Sequence, residues 1–503
     1  MNTDFSSMRP AGYTYLLRRF GLTSMPNPHR SFVASTGSRK QYVQGDHVEE
    51  IYSLHYWPGE TIGDHLEFAL KYDGVSLSSL NIIFDAISEN EITAYIKSKP
   101  TGKYARRIWF FYEFLTGSTL SIADVSMGNY VDALDPRLNY TLSEGIKIRR
   151  YRVINNLLGP REFCPIVRKT EKLAQMDQIN IHDKCMRLID QYPSGLLRRA
   201  LSYLYSKETK SSFEIENIKP DASRTEKFMA SLKLAHQRNY CDKASLIALQ
   251  NQIVDPHFKS DDYRVIQNFV GQTISYQREL IHYVCPKPED VSDLMQGLLT
   301  SHQLMMTNGV SSIVQAAIVA YGLVFIHPFE DGNGRIHRFL IHNILALNGM
   351  VPQGLIFPVS AVMLNHPTAY NDSLEAFSRP LNQLVEYTLD RQVQMRVIND
   401  TAHWYRYIDM TVQTEALYEF ILQTIDRELI VELRFLESYD RTKKSIQDVI
   451  DMPDRQIDLF IRFCLQNNGR LSANKRKSYF HFLTDDEILP MENTVREHYH
   501  QLS

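Results

Sequence analysis

Apolar residues along the chain recur mostly at helical spacing, and the strongest signal lies near the middle. Residues 310–326 are apolar almost all round, the pattern of a helix buried inside a core. Pro328 cannot continue a helix and pushes the residue before it out of helical geometry, so this helix is expected to end near His327. After a short polar loop, Ile336, Phe339, Leu340, Ile344 and Leu347 share one helical face, and Gly349 is a natural stop. Arg335, Arg338 and His342 fall on the other face at i, i+3 and i+7. Further helices are expected at 103–115, with a heavy aromatic load packed in the core, then one or two over 170–206, and at 223–237, 242–253 and 291–306. Period-two runs at 269–274 and 280–284 flank the polar stretch 275–279, a hairpin signal.

Elsewhere the pattern is weaker. Residues 1 to about 50 read as irregular, with Pro10, Pro26, Pro28 and clustered Ser and Gly; the helical pattern starts at His47. Residues 380–439 read as helical, with Tyr387, Leu389, Ile398, Trp404, Tyr407 and Ile408 in the core. In the tail, 446–450, a turn at 451–453 and 457–465 suggest a helix-turn-helix. Residues 470–483 would form a wing with Lys475, Arg476 and Lys477 at its tip, as in a winged helix. Asp440, Asp448, Asp451, Asp454 and Asp458 weigh against DNA there, so docking of DNA or of protein both stay open.

Composition narrows this picture. At 503 residues the chain exceeds one core, and 55 basic against 58 acidic residues leave −3, with no global field to recruit nucleic acid or anionic lipid. Lys147, Arg149, Arg150 and Arg152 form a local basic run, which ordinarily is a solvated face. The five scattered cysteines contain no CxxC pair and read as packing residues of a reducing compartment. The start of the chain lacks the apolar core of a signal peptide, and residues 310–326 are too short and too polar to span a bilayer, so a cytoplasmic protein without membrane contact is expected.

The loop between the two central helices reads His327-Pro328-Phe329-Glu330-Asp331-Gly332-Asn333-Gly334-Arg335-Ile336-His337-Arg338. First-turn N–H groups of the second helix, glycines beside them and two arginines one turn apart make an anion site. A carboxylate in such a place, Asp331, suggests a Mg²⁺ bridging phosphate oxygens. His327, with an ordinary pKa of about 6.5, suits a general base. His337 reads as a packing or surface histidine.

This dodecamer resembles the signature of the Fic family, His-Pro-Phe-x-Asp/Glu-Gly-Asn-Gly-Arg-x-x-Arg, at every specified position. The resemblance implies a mostly helical enzyme that transfers AMP from ATP to a Ser, Thr or Tyr hydroxyl of a target protein, self-modification being a common side activity. It assigns His327 as base and Asp331 as Mg²⁺ ligand. Asn333 and the amides of Gly332 and Gly334 would hold the inner phosphates, Arg335 and Arg338 the outer ones, with Phe329 as anchor and Tyr370 near the adenine. The hairpin would be the flap that docks the target by strand addition.

Ser212-x-x-x-Glu216-Asn217, 111 residues before His327, resembles the inhibitory motif of that family, Ser/Thr-x-x-x-Glu-Gly/Asn. Glu216 would then pair with Arg338 in place of the γ-phosphate. The same stretch holds Ser211-x-x-Glu214, a capping-box pattern that would start a helix. The expected fold is therefore mostly α: an N-terminal α-rich domain (1–165), a helical Fic core with a short β-hairpin flap (166–380, with the inhibitory helix near 206–217), connecting helices (381–440) and a winged-helix-like domain (441–503). Removal of AMP, with Glu216 orienting a water, and a nucleotide-sensing regulator acting through the tail are the alternatives. The target and any homo-oligomer are left open.

Overall fold

The computed structural model describes residues 8–35, 37–44, 47–275, 278–352 and 354–499. Among the described residues the fold is mostly helical with four small sheets. The chain divides into two compact units: residues 1–178, 235–348 and 366–418 form the first, and 179–234, 349–365 and 419–503 the second.

The first unit opens with structure that local pattern hid. Residues 9–53 are not irregular: they hold the helix Gly12–Phe20 and strands Arg9–Ala11, His29–Ala34, Lys40–Gln44 and His47–Ser53. His29–Ala34 runs parallel to His47–Ser53, a pairing between segments distant in sequence that short-range periodicity cannot announce. Pro10 is tolerated because its strand lies at the edge of that sheet. His47, expected to begin helical structure, begins a strand instead, and the next α-helix after it starts at Ile62. The aromatic helix Lys103–Thr116 is core as expected, with Ile108, Trp109 and Phe111 buried. The basic run after it divides: Lys147 and Arg149 are exposed as a solvated face would be, whereas Arg150 pairs with Glu113 at 2.8 Å and donates to the carbonyl of Leu120, and Arg152 donates to those of Val125, Ser126 and Gly128.

The centre of the same unit holds Pro288–Thr307, Ser312–Ile326, Asn333–Leu347 and Pro367–Leu381. The apolar helix Ser312–Ile326 is buried along nearly its whole length, as its all-round pattern requires. Before these helices, Phe269–Ser275 and Arg278–Val284 pair as the antiparallel hairpin, whose tip residues 276–277 lie outside the described residues. Residues 380–439 are not continuously helical: Tyr387–Leu389 and Met395–Val397 form a second small hairpin. Leu389 and Ile398 are exposed beside it, whereas Trp404, Tyr407 and Ile408 are buried.

The second unit packs Ile430–Val449 against Ser194–Glu214, with Leu196, Ala200, Leu433 and Leu436 between them. Lys207 lies between Glu428 and Glu432, at 2.7 and 3.1 Å. The buried carboxylate of Glu208 accepts from the N–H of Ser360 at 2.9 Å. The tail keeps the expected helix and turn before Asp454–Leu465, but the wing does not form. Ala473–Tyr479 is a helix capped by Ser472, and among the described residues no strand lies beyond Val397. Its cations are used locally, Arg476 on Asp485 at 2.5 Å and Lys475 over the ring of Phe463. The five cysteines are free and buried. Among the described residues no helix is long and apolar enough to cross a membrane.

Candidate active site

His327 ends the helix Ser312–Ile326 in left-handed conformation, φ 53° and ψ 58°. This geometry is uncommon for a residue with a Cβ and needs support from its surroundings. Its Nδ1 lies 3.1 Å from the carbonyl of Val324. A carbonyl can only accept, so Nδ1 carries the proton and Nε2 is left with the basic lone pair. Burial of the ring pushes its pKa down to about 4; the charge of Arg264 acts in the same sense, while the Val324 hydrogen bond and Asp331 oppose them. The imidazole is therefore neutral at pH 7, the form a general base requires.

The loop beyond it is tied down by its own residues. Asn333 donates to the carbonyl of Phe329 at 2.8 Å and accepts from the N–H of Phe329 at 3.0 Å, closing the turn around a fully buried phenyl ring. That side chain is thus committed to the loop, and the first-turn N–H groups of Asn333–Leu347 are what the segment offers an anion. Gly332 has φ 94°, and a Cβ there would lie 2.8 Å from Val254. Two separate demands, conformation and space, exclude any other residue.

Asp331 accepts from the N–H of Gly332 at 2.7 Å and from Arg335 at 2.5 Å through the same oxygen. Its side chain is about 31% exposed, and its second oxygen accepts no hydrogen bond from the described residues. A single carboxylate with one open oxygen fits Mg²⁺, which keeps most of its waters and takes the rest of its ligands from phosphates. Among the described residues there is no cluster of three His, Cys, Asp or Glu that would hold a metal without such help. This carboxylate also serves the interior, because it faces a guanidinium that is fully buried.

The expected polar face of Asn333–Leu347 is not a surface. Arg335, Arg338 and His342 are 0, 1 and 4% exposed, so this helix is enclosed on both sides and its arginines are part of the interior. Arg335 also donates to the carbonyl of Ile253 at 2.9 Å. His337 is a packing residue, edge-on to Tyr321 and parallel to Tyr370, whose own ring is 6% exposed.

Within the second unit, Ser212 is buried and Glu216 half-buried. The capping-box reading of Ser211 and Glu214 is overturned: both lie in the last turn of Ser194–Glu214, so the segment ends a helix rather than starting one. It ends in a Schellman arrangement, with the N–H of Ile218 on the carbonyl of Phe213, that of Asn217 on Glu214, and Asn217 at φ 55°. The left-handed position explains why Asn or Gly follows the glutamate.

Two residues that the sequence did not single out also hold the site. Gln250, fully buried, donates to the carbonyls of Phe258 and Asp331. Arg264 donates from its backbone to Pro328 and from its guanidinium to His327. Neither stands in a motif, and nothing in pattern or spacing separates a buried arginine from an exposed one.

Comparison with known proteins agrees with this geometry. The Fic/DOC family matches residues 240–345. The match lies in that stretch of the chain, which resembles a Fic domain. The Fic domain so defined begins at Tyr240, whose N–H is held by Asn343 at 3.1 Å and whose ring is edge-on to Phe339. Proteins called "Protein adenylyltransferase Fic" are similar to it: that of Culex quinquefasciatus is 28% identical over 171 residues, covering 31% of this chain and 30% of the relative. That of Drosophila mojavensis is 29% identical over 189 residues, covering 36 and 34%. The chain thus spans about a third of the length of the curated relatives it matches. A Fic family protein from Desulfovibrio desulfuricans G20 shares 20% identity at a TM-score of 0.35, over 66% of this chain and 89% of that one.

Proposed function

We propose that this chain transfers AMP from ATP to a hydroxyl side chain of a protein, and that Glu216 restrains it. The observation that carries the reading is the fixed tautomer of His327 in a Fic loop: Nδ1 is engaged by Val324, so Nε2 is the atom free to take a proton. Relatives bearing the name adenylyltransferase support the same chemistry.

In the reaction, Nε2 of His327 removes the proton of the target hydroxyl. That oxygen bonds to the α-phosphorus of ATP while the bond to the β-phosphate oxygen breaks, and pyrophosphate departs. The first-turn N–H groups at Asn333 and Gly334, with Arg338 beyond them, offset the growing negative charge. Arg335 holds Asp331 in place and shares in the positive field around the outer phosphates. Asp331 would hold Mg²⁺, which neutralises charge on the phosphates when bound. The flap would offer its strand edge to the target backbone, since Val270, Ile274 and Leu280 are exposed. Tyr370 remains the assigned neighbour of the adenine through the family likeness.

Glu216 is assigned as a competitor of the γ-phosphate for Arg338. Its place at the end of a helix closed by a left-handed Asn supports this, since that geometry fixes where the carboxylate emerges. Incubation of the full chain with Mg·ATP, followed by mass spectrometry, tests the function. An AMP adduct on the chain or on an added protein lysate is expected. Addition of phosphate in place of AMP would overturn the assignment.

A further inference from the structure

The end of the helix that carries His327 exposes carbonyls that no further turn can satisfy. Four consecutive ones, those of Phe325, Ile326, His327 and Pro328, are taken by the root of the hairpin. The hydroxyl of Tyr283 donates to Phe325. Arg264 supplies the rest: Nη2 to Ile326 at 3.5 Å, Nε to His327 at 2.7 Å, and its backbone N–H to Pro328 at 2.8 Å. The other side of the same guanidinium donates to Ile266 at 2.8 Å and to Pro286 at 2.7 Å, residues that bracket the two hairpin strands.

Arg264 is 4% exposed, and among the described residues all its hydrogen bonds go to carbonyls rather than to a carboxylate. A buried guanidinium without a counter-ion is costly, and it persists where its planar fork meets a need a point charge cannot. Here that need is to hold four carbonyls from three segments at once, those of Ile266, Pro286, Ile326 and His327. The groups facing it, Cys285, Tyr283 and Tyr405, are neutral at pH 7, so its charge is felt by the imidazole of His327, against the opposing pull of Asp331.

We propose that Arg264 is a positioning residue that locks the hairpin root to the helix end bearing His327, so that the hairpin's state and the aim of the imidazole are one mechanical variable. Strand addition at the hairpin would then steady the base at the moment a target is present. This rests on the proposed AMP transfer only for its kinetic consequence; the coupling itself is a property of the fold.

The test uses the full chain, wild type and two variants, Arg264→Lys and Gln267→Ala. Gln267 ties the hairpin root through the carbonyls of Asn268 and Cys285 without touching the loop. Hydrogen exchange followed by mass spectrometry is read over 264–287, 324–333 and, as control, 313–321. For Arg264→Lys, exchange is expected to rise about ten-fold or more in the first two segments together and to stay unchanged in the third. AMP transfer should fall by about 10- to 100-fold in kcat while the affinity for a non-hydrolysable ATP analogue stays within about two-fold. Gln267→Ala should show the same paired loosening to a smaller extent, and decides the matter alone if Arg264→Lys does not accumulate as folded protein. Loosening of the hairpin alone in either variant, or an unchanged kcat in Arg264→Lys, overturns the proposal. If wild type transfers no AMP, the proposed function fails while the exchange measurement still decides the coupling.

Discussion

Among the described residues three helices end on a left-handed residue that is not glycine, Asn217, His327 and Asn468, and the first two of these ends are built differently. Ser194–Glu214 closes with Asn217 at φ 55°, and Ser312–Ile326 closes with His327 at φ 53°. Asparagine tolerates that conformation, and the first end closes through backbone hydrogen bonds of Asn217 to Glu214 and Ile218 to Phe213. Histidine has more to lose, and the second end is held by Arg264, Asn333 and the Val324 carbonyl. Strain that a cheaper residue would relieve is kept where the side chain has chemistry to perform. The comparison separates a helix stop whose residue is chosen for its backbone from one whose residue is chosen for its ring.

The largest expected effect comes from replacing the ring. His327→Gly should reduce AMP transfer by at least about 100-fold while raising stability by about 0.5–1 kcal/mol, since glycine accepts φ > 0 freely. Asn217→Gly should be close to neutral in both thermal unfolding and transfer. If His327→Gly destabilises the chain instead, the histidine is a packing residue and the contrast collapses.

Next in size is release of the proposed restraint. A charge-assisted pair contributes roughly 1.5–3 kcal/mol, so Glu216→Gly should raise transfer by about 10- to 100-fold, and Arg338→Ala should cancel the gain. Equal rates across a range of ATP concentrations would remove the restraint from the account.

A third effect falls on stability. Asn333→Ala leaves the buried N–H and C=O of Phe329 without partners and should cost about 2–4 kcal/mol by denaturant unfolding. Asp331→Asn removes the counter-charge of a buried guanidinium and should cost about 1–3 kcal/mol as well as transfer, less than a fully buried pair because water reaches the carboxylate. A loss near zero for Asn333→Ala would show that the loop is held from elsewhere.

The smallest effects are in pH. His65, His302, His327 and His403 are held near about 4, and His337 near about 3, by burial. Their unfolded values lie near about 6.5, so the unfolded chain binds more protons between these limits and stability is complete only above about pH 6.5. It is lost as pH falls toward 4, roughly 5–10 °C in melting temperature by pH 5. Buried Asp73, raised to about 7 by desolvation, works in the opposite sense. For the same reason transfer should stay level from pH 8 to about 6, because the base is already neutral there. A midpoint near 6.5 would mean an unburied imidazole; bound triphosphate would move the true value upward by its negative charge.

How far the sequence reached depended on the range of the interactions. The central helices, the hairpin and the loop residues were legible because proline, glycine and apolar period act locally. The N-terminal sheet was not, since His29–Ala34 becomes a strand through parallel pairing with His47–Ser53. The tail misled for a related reason: residues 470–483 carry turn and charge signals that suit a wing, but Ser472 caps a helix there. The candidate site was legible as a motif, while its support was hidden. Arg335 and Arg338 read as the paired arginines of an anion site, but nothing in their spacing announced that both are buried, and Arg264 and Gln250 gave no signal at all.

The most direct test of the account compares two forms of the full chain, Glu216→Gly and Glu216→Gly with His327→Ala, each incubated with Mg·ATP carrying label on either the α- or the γ-phosphate. The account predicts α-label on protein for the first form, none for the second, and no γ-label for either, with ATP still bound by both. Undiminished α-label in the second form, or γ-label in the first, would contradict it.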